Sequence, residues 1–127
     1  MILSEEELIV KDFEDSINEF KKSLTILNKC IETKTELKFH NINNIMKLIK
    51  YIALNLFKEY WQKEKAHQNT SGVKSKYNEL ISLIQEYDKT IFLYKEKFPN
   101  SKIESFRQTM KRFNTGKVSV KTEIFNY

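Results

Sequence analysis

Side chains able to do acid–base, nucleophilic or metal chemistry are few in this chain and poorly spaced for it. Its 127 residues contain two histidines, His40 and His67. Glu64 stands three residues before His67, an E-x-x-H spacing that puts both on one helical face. In di-iron bundles that motif occurs twice and is joined by further core carboxylates. Here it occurs once, and the apolar seams described below carry no Glu or Asp, so the pair reads as a solvated helix end and no metal is expected. Neither arginine opens an R-x-x-x-x-H ribonuclease pattern, because five residues after Arg107 comes Arg112. Two glycines, Gly72 and Gly116, cannot make a glycine-rich phosphate loop. Cys30 would need a nearby histidine and an exposed, electropositive setting to act as a nucleophile. The chain is therefore expected to be non-catalytic and to hold no cofactor. A lone cysteine also excludes an internal disulfide and favours a cytoplasmic setting.

Charge offers a second kind of chemistry. The formal net charge is +5, built from 22 basic residues of which only Arg107 and Arg112 are arginines; with 11 asparagines this reflects an AT-rich genome more than a dedicated phosphate reader. Distribution says more than the sum. Residues 1 to 20 hold seven acids and one lysine, a net of −6, which leaves +11 for the rest. The densest basic cluster is Lys102, Arg107, Lys111, Arg112, Lys117 and Lys121, opposed by Glu104 alone. It is the candidate nucleic-acid surface. The plainer reading is a solvated face, or one paired with the acidic first helix, and no aromatic interleaves its exposed part to support base stacking.

The elements that must position these groups are helices. In Ile42–Trp61, 13 of 20 residues are apolar or aromatic, which marks a central, most buried helix. Ser4 and Glu7 form a capping box that opens the first helix, with Leu3 and Leu8 placed as a hydrophobic staple. Val10, Phe13, Ile17, Phe20, Leu24, Leu27 and Ile31 give that helix a bundle seam from about Glu5 to about Glu32. The second helix is expected to start somewhere in Thr33–Asn44, with Thr33 and Glu36 as one possible capping box, and to run to about Lys65; a loop follows over Ala66–Ser71. A third helix begins near Gly72–Ser75, carries Val73, Tyr77, Leu80, Ile84, Tyr87, Ile91, Tyr94 and Phe98 as its seam, and stops at Pro99. Ser101 and Glu104 are expected to cap a short fourth helix bearing Ile103, Phe106, Met110 and Phe113 and ending at Gly116. Beyond it Val118, Val120, Thr122 and Ile124 alternate with polar residues in a strand period.

The expected architecture is all-α: an up-and-down bundle of three long helices and one short one over residues 1–116, with an extended, strand-like arm over 117–127. No signal peptide is expected, and Lys47, Lys50, Lys58 and Glu59 interrupt the one stretch long enough to span a bilayer, so no membrane partner is expected either. A short fourth helix should cover the end containing Leu24 to Ile31 and leave the other end open. Phe13, Phe57, Tyr60, Trp61 and Tyr77 would line that end, and with Val118, Val120 and Ile124 of the arm they form the candidate protein-binding set. The leading functional expectation is a non-catalytic interaction protein of adaptor, assembly-subunit, immunity or inhibitor type, acting on a protein partner or a second copy of itself. The alternative is a small helical nucleic-acid-binding subunit of a ribonucleoprotein or DNA-processing complex.

A single strand cannot ladder with itself, so the arm either pairs with another chain or lies along its own bundle, where about 3.3 Å per residue gives it roughly 30 Å of reach. Strand pairing with a partner is the favoured case. Deleting residues 117–127 is then expected to abolish association in analytical ultracentrifugation while Tm holds; a Tm lowered by several degrees with association intact would make the arm a structural lid.

Overall fold

The computed structural model describes residues 3–57 and 71–113 of the chain. Helix α1 spans Glu5–Thr33. Its start is set as the sequence indicates: Ser4 is the N-cap, and its Oγ accepts the Glu7 N–H at 3.1 Å. Glu5, Glu6 and Glu7 in the first turn meet the positive end of the helix dipole. Phe13, Ile17, Phe20, Leu24 and Leu27 are buried, and the small Ser16 and Ser23 are buried with them. The helix ends where Lys34 turns left-handed at φ 56°, and both its own N–H and that of Thr35 return to the Cys30 carbonyl. Thr33 therefore closes α1, its hydroxyl donating to the Lys29 carbonyl, and does not cap the second helix.

Helix α2 spans Phe39–Tyr51, with Lys38 as an N-cap that supplies no side-chain hydrogen bond. It passes directly into a π-helical segment over Ile52–Phe57. Ile42, Ile45, Ile49, Ile52, Ala53 and Leu56 form one buried face through this change of winding. Met46 and Leu48 are half-buried and Tyr51 is exposed, so α2 is buried along a stripe and not around its circumference. The expectation of a central second helix is corrected accordingly. Among the described residues the most extensive pairing is between α1 and helix α3, which spans Ser71–Lys97.

Every seam position of α3 from Val73 to Tyr94 is buried, and the helix stops two residues before Pro99. Phe13 meets Tyr77 edge-on at 6.1 Å between ring centres, and Phe20 meets Tyr87 at 5.2 Å. Residue numbers rise together across those contacts, so α1 and α3 run parallel, as an up-down-up order requires. Lys76–Glu14 at 3.6 Å and Lys21–Glu79 at 3.8 Å bridge the same pair at the surface, where ion pairs contribute little. Among the described residues helix α4 spans Phe106–Phe113, and it begins five residues later than Ser101. The described residues thus form an all-α bundle, with no strand among them and no helix long and apolar enough to cross a membrane. The expected arm, Lys65, residues 66–70 of the loop after it and Gly116 lie outside the described residues, while Ser71 already belongs to α3.

Ile49 is fully buried in the α2 stripe. Truncating it as Ile49→Ala is expected to cost about 2 to 5 kcal/mol in denaturant unfolding; a loss below about 1 kcal/mol would contradict its place in the core.

Candidate functional site

Helix α4 is short, with a start that the chain on its own side only partly supports. Ser105 and Gln108 make a reciprocal capping box: Ser105 Oγ accepts the Gln108 N–H at 3.1 Å, and Gln108 Oε1 accepts the Ser105 N–H at 2.9 Å. The remaining N-terminal donors are met from another helix. Asp88, on α3 and 8% exposed, accepts the Phe106 N–H at 2.7 Å with Oδ1 and the Arg107 N–H at 3.1 Å with Oδ2. A carboxylate at that end gains from charge-assisted hydrogen bonds and from the helix dipole together. One residue earlier on α3, the Tyr87 hydroxyl donates to the Glu104 carbonyl at 3.3 Å. The Phe106 ring completes the anchorage by packing against Phe20 at 6.5 Å.

Fixing α4 in this way creates a groove of about 370 Å³ between it and the C-terminal half of α3. Lys89, Ile91, Phe92 and Lys95 come from α3; Ser105, Arg107 and Gln108 come from the start of α4; Asp88 sits between them. Phe92 is 65% exposed, second among the described phenylalanines to Phe39, 77% exposed at the other groove. Among the described residues neither Lys89 nor Lys95 has an ion-pair partner.

A second groove, of about 480 Å³, lies on the other side of α4 and is lined by Phe39, Asn43 and Met46 from α2 and by Asn100, Lys102, Glu104 and Arg112 among others. Arg112 pairs there with Glu104 at 3.1 Å. The basic cluster of the sequence is thus divided. Arg107 and Arg112 are five residues apart, about 140° around a helix at about 100° per residue, so one faces each groove. Lys111 is exposed, while Lys117 and Lys121 lie outside the described residues.

The candidate protein-binding set is divided as well. Phe13 is fully buried and Tyr77 nearly so, packed on each other inside the α1–α3 pair. That burial corrects the expectation that these two line an open end, because parallel seams of matched length close over each other there. The Phe57 side chain, Tyr60, Trp61, Val118, Val120 and Ile124 lie outside the described residues, as do Glu64 and His67. His40 is exposed at the start of α2. Burial pushes the Cys30 thiol up, with Lys29 opposing, which disfavours the nucleophilic thiolate. Among the described residues no three His, Cys, Asp or Glu side chains are placed to hold a metal ion.

Sequence reasoning missed three of the groove's residues. Lys89, Phe92 and Lys95 repeat at three-residue steps on the polar side of α3, and Phe92 falls outside the seam defined by Ile91 and Tyr94. An apolar ring at a solvent phase was the available signal. No protein-family model, curated protein or solved structure matches this chain, so what it does has to be read from its own side chains.

Burial holds the Tyr87 phenol well above its ordinary range, with the negative charges of Asp88 and Glu104 acting in the same direction. An unfolded tyrosine ionises near pH 10, so stability contributed by the neutral phenol is intact below about pH 10 and is lost as pH rises further. Native-state titration in the phenolate ultraviolet band is expected to leave Tyr87 silent until the chain unfolds, and Tyr87→Phe should weaken the alkaline loss of stability. Ionisation of Tyr87 near pH 10 in the folded chain would contradict its donor role.

Proposed function

We propose that this chain is a non-catalytic binding protein that engages an anionic macromolecule through the groove between α3 and α4. The observation that carries the reading is the convergence of Lys89, Lys95 and Arg107 around the exposed Phe92. Cations on two different helices, held at fixed separation by the Asp88 anchor, form a preorganised positive surface and attract a polyanion from a distance. The bipolar charge of the chain supports the same reading, since the acids of residues 1–20 belong to the start of α1 and the groove to the opposite half of α3.

The groove contains no histidine or cysteine, and its carboxylate is occupied by two backbone donors. Those features support binding over turnover. With Phe13 and Tyr77 in the core, the weight of the interaction reading moves from an apolar end of the bundle to this basic groove.

Retention on an immobilised sulfated polyanion tests the proposal. Lys89→Glu with Lys95→Glu is expected to lower the eluting salt well below that of a control carrying Lys29→Glu and Lys50→Glu, two exposed lysines elsewhere with the same change in charge. Equal shifts for the two variants would reduce the groove to a share of overall net charge and overturn the reading.

A further inference from the structure

Resting on the groove reading above, we infer that the occupant of the α3–α4 groove is single-stranded nucleic acid, with an unpaired base stacked on Phe92 and backbone phosphates held by Lys89, Lys95 and Arg107. The layout along α3 is specific. Phe92 lies three residues from each lysine, so the three side chains emerge on one side of the helix with the ring between the cations. At about 1.5 Å of rise per residue the two lysines are separated by about 9 Å along the axis. Arg107 supplies a third cation from across the groove.

The aromatic ring selects among polyanions. An exposed ring face carries negative electrostatic potential, which disfavours the carboxylates of an acidic peptide, while every nucleobase has a face that stacks on it. A duplex hides those faces and offers phosphates alone, for which the exposed Phe92 would be a liability and lysines without it would serve as well. The volume of about 370 Å³ lies at the low end of sites that enclose a small organic group, which suits one base and not a double helix. Asp88 lines the same groove with a single negative charge, which Lys89, Lys95 and Arg107 outnumber, so the lining stays net positive.

Fluorescence anisotropy with a labelled oligothymidylate, the same length of duplex DNA and a poly-glutamate peptide tests the inference on the full chain. The single strand is expected to bind tightest, with a slope of log affinity against log salt of about −2, the value for three phosphate contacts on a single strand. Phe92→Ala should weaken that binding about tenfold or more, and Phe92→Trp should retain it, since stacking needs a ring of any kind. Phe92 is exposed, so neither change threatens the fold, and unaltered thermal melts would verify this.

If duplex or poly-glutamate binds as well as the single strand, or Phe92→Ala leaves oligothymidylate binding unchanged, the inference is overturned while the groove reading survives. If Lys89→Glu with Lys95→Glu changes none of the three affinities, both fail.

Discussion

The carboxylate of Asp88 holds two helices in one arrangement. It belongs to α3, yet its two oxygens accept the first backbone donors of α4. Helix termini leave backbone groups without intrahelical partners, and an eight-residue helix has proportionally many of them. Helices that short are marginal alone, so α4 exists because its N-terminus is met by a nearly buried negative charge and its apolar face by Phe20 and the Ile52–Phe57 segment. The α4 wall of the basic groove, and its placement against α3, follow from that contact.

Two tyrosines extend the same logic to the loops. Tyr94 is fully buried, and its hydroxyl accepts the Leu37 N–H at 2.9 Å, pinning the connection between α1 and α2. Burial raises its phenol, while the Leu37 and Ser101 hydrogen bonds pull the other way. Tyr87, two turns earlier, holds the connection between α3 and α4 through the Glu104 carbonyl. The Glu104 N–H points at the Met46 sulfur at 3.4 Å, so one residue of that connection is fastened to both α2 and α3. Loop backbone that approaches a core needs partners for its polar groups, and in this bundle a seam of α3 supplies them as phenols without interrupting its own apolar packing.

Features encoded within one helix were legible in the sequence, and features made between helices were not. The α1 and α3 seams, the Ser4 cap and the stop before Pro99 all depend on neighbours within about four residues, and each is where periodicity and capping rules place it. The start of α4 differs because its cap is shared with a residue 18 positions upstream of Phe106. A hint was present: Asp88 lies four residues after Ile84 and three before Ile91, an acid at the phase of a buried face. The π-helical segment at Ile52–Phe57 left no recognisable trace in a sequence with ordinary three-and-four spacing, and we have no physical account of it. For the site, Lys102, Arg107, Lys111 and Arg112 were grouped by nearness along the chain. A helix turns such neighbours to opposite sides, and the cations that join Arg107 come from α3.

Amide hydrogen exchange in Asp88→Ala tests most directly whether α4, and the groove with it, depends on that carboxylate. The amides of Phe106, Arg107 and the rest of α4 are expected to exchange about tenfold faster or more than in the unaltered chain, while those of Leu80 and Ile84 in α3 keep their protection. Unchanged protection across α4 would show that the helix holds its place without Asp88 and would contradict this account.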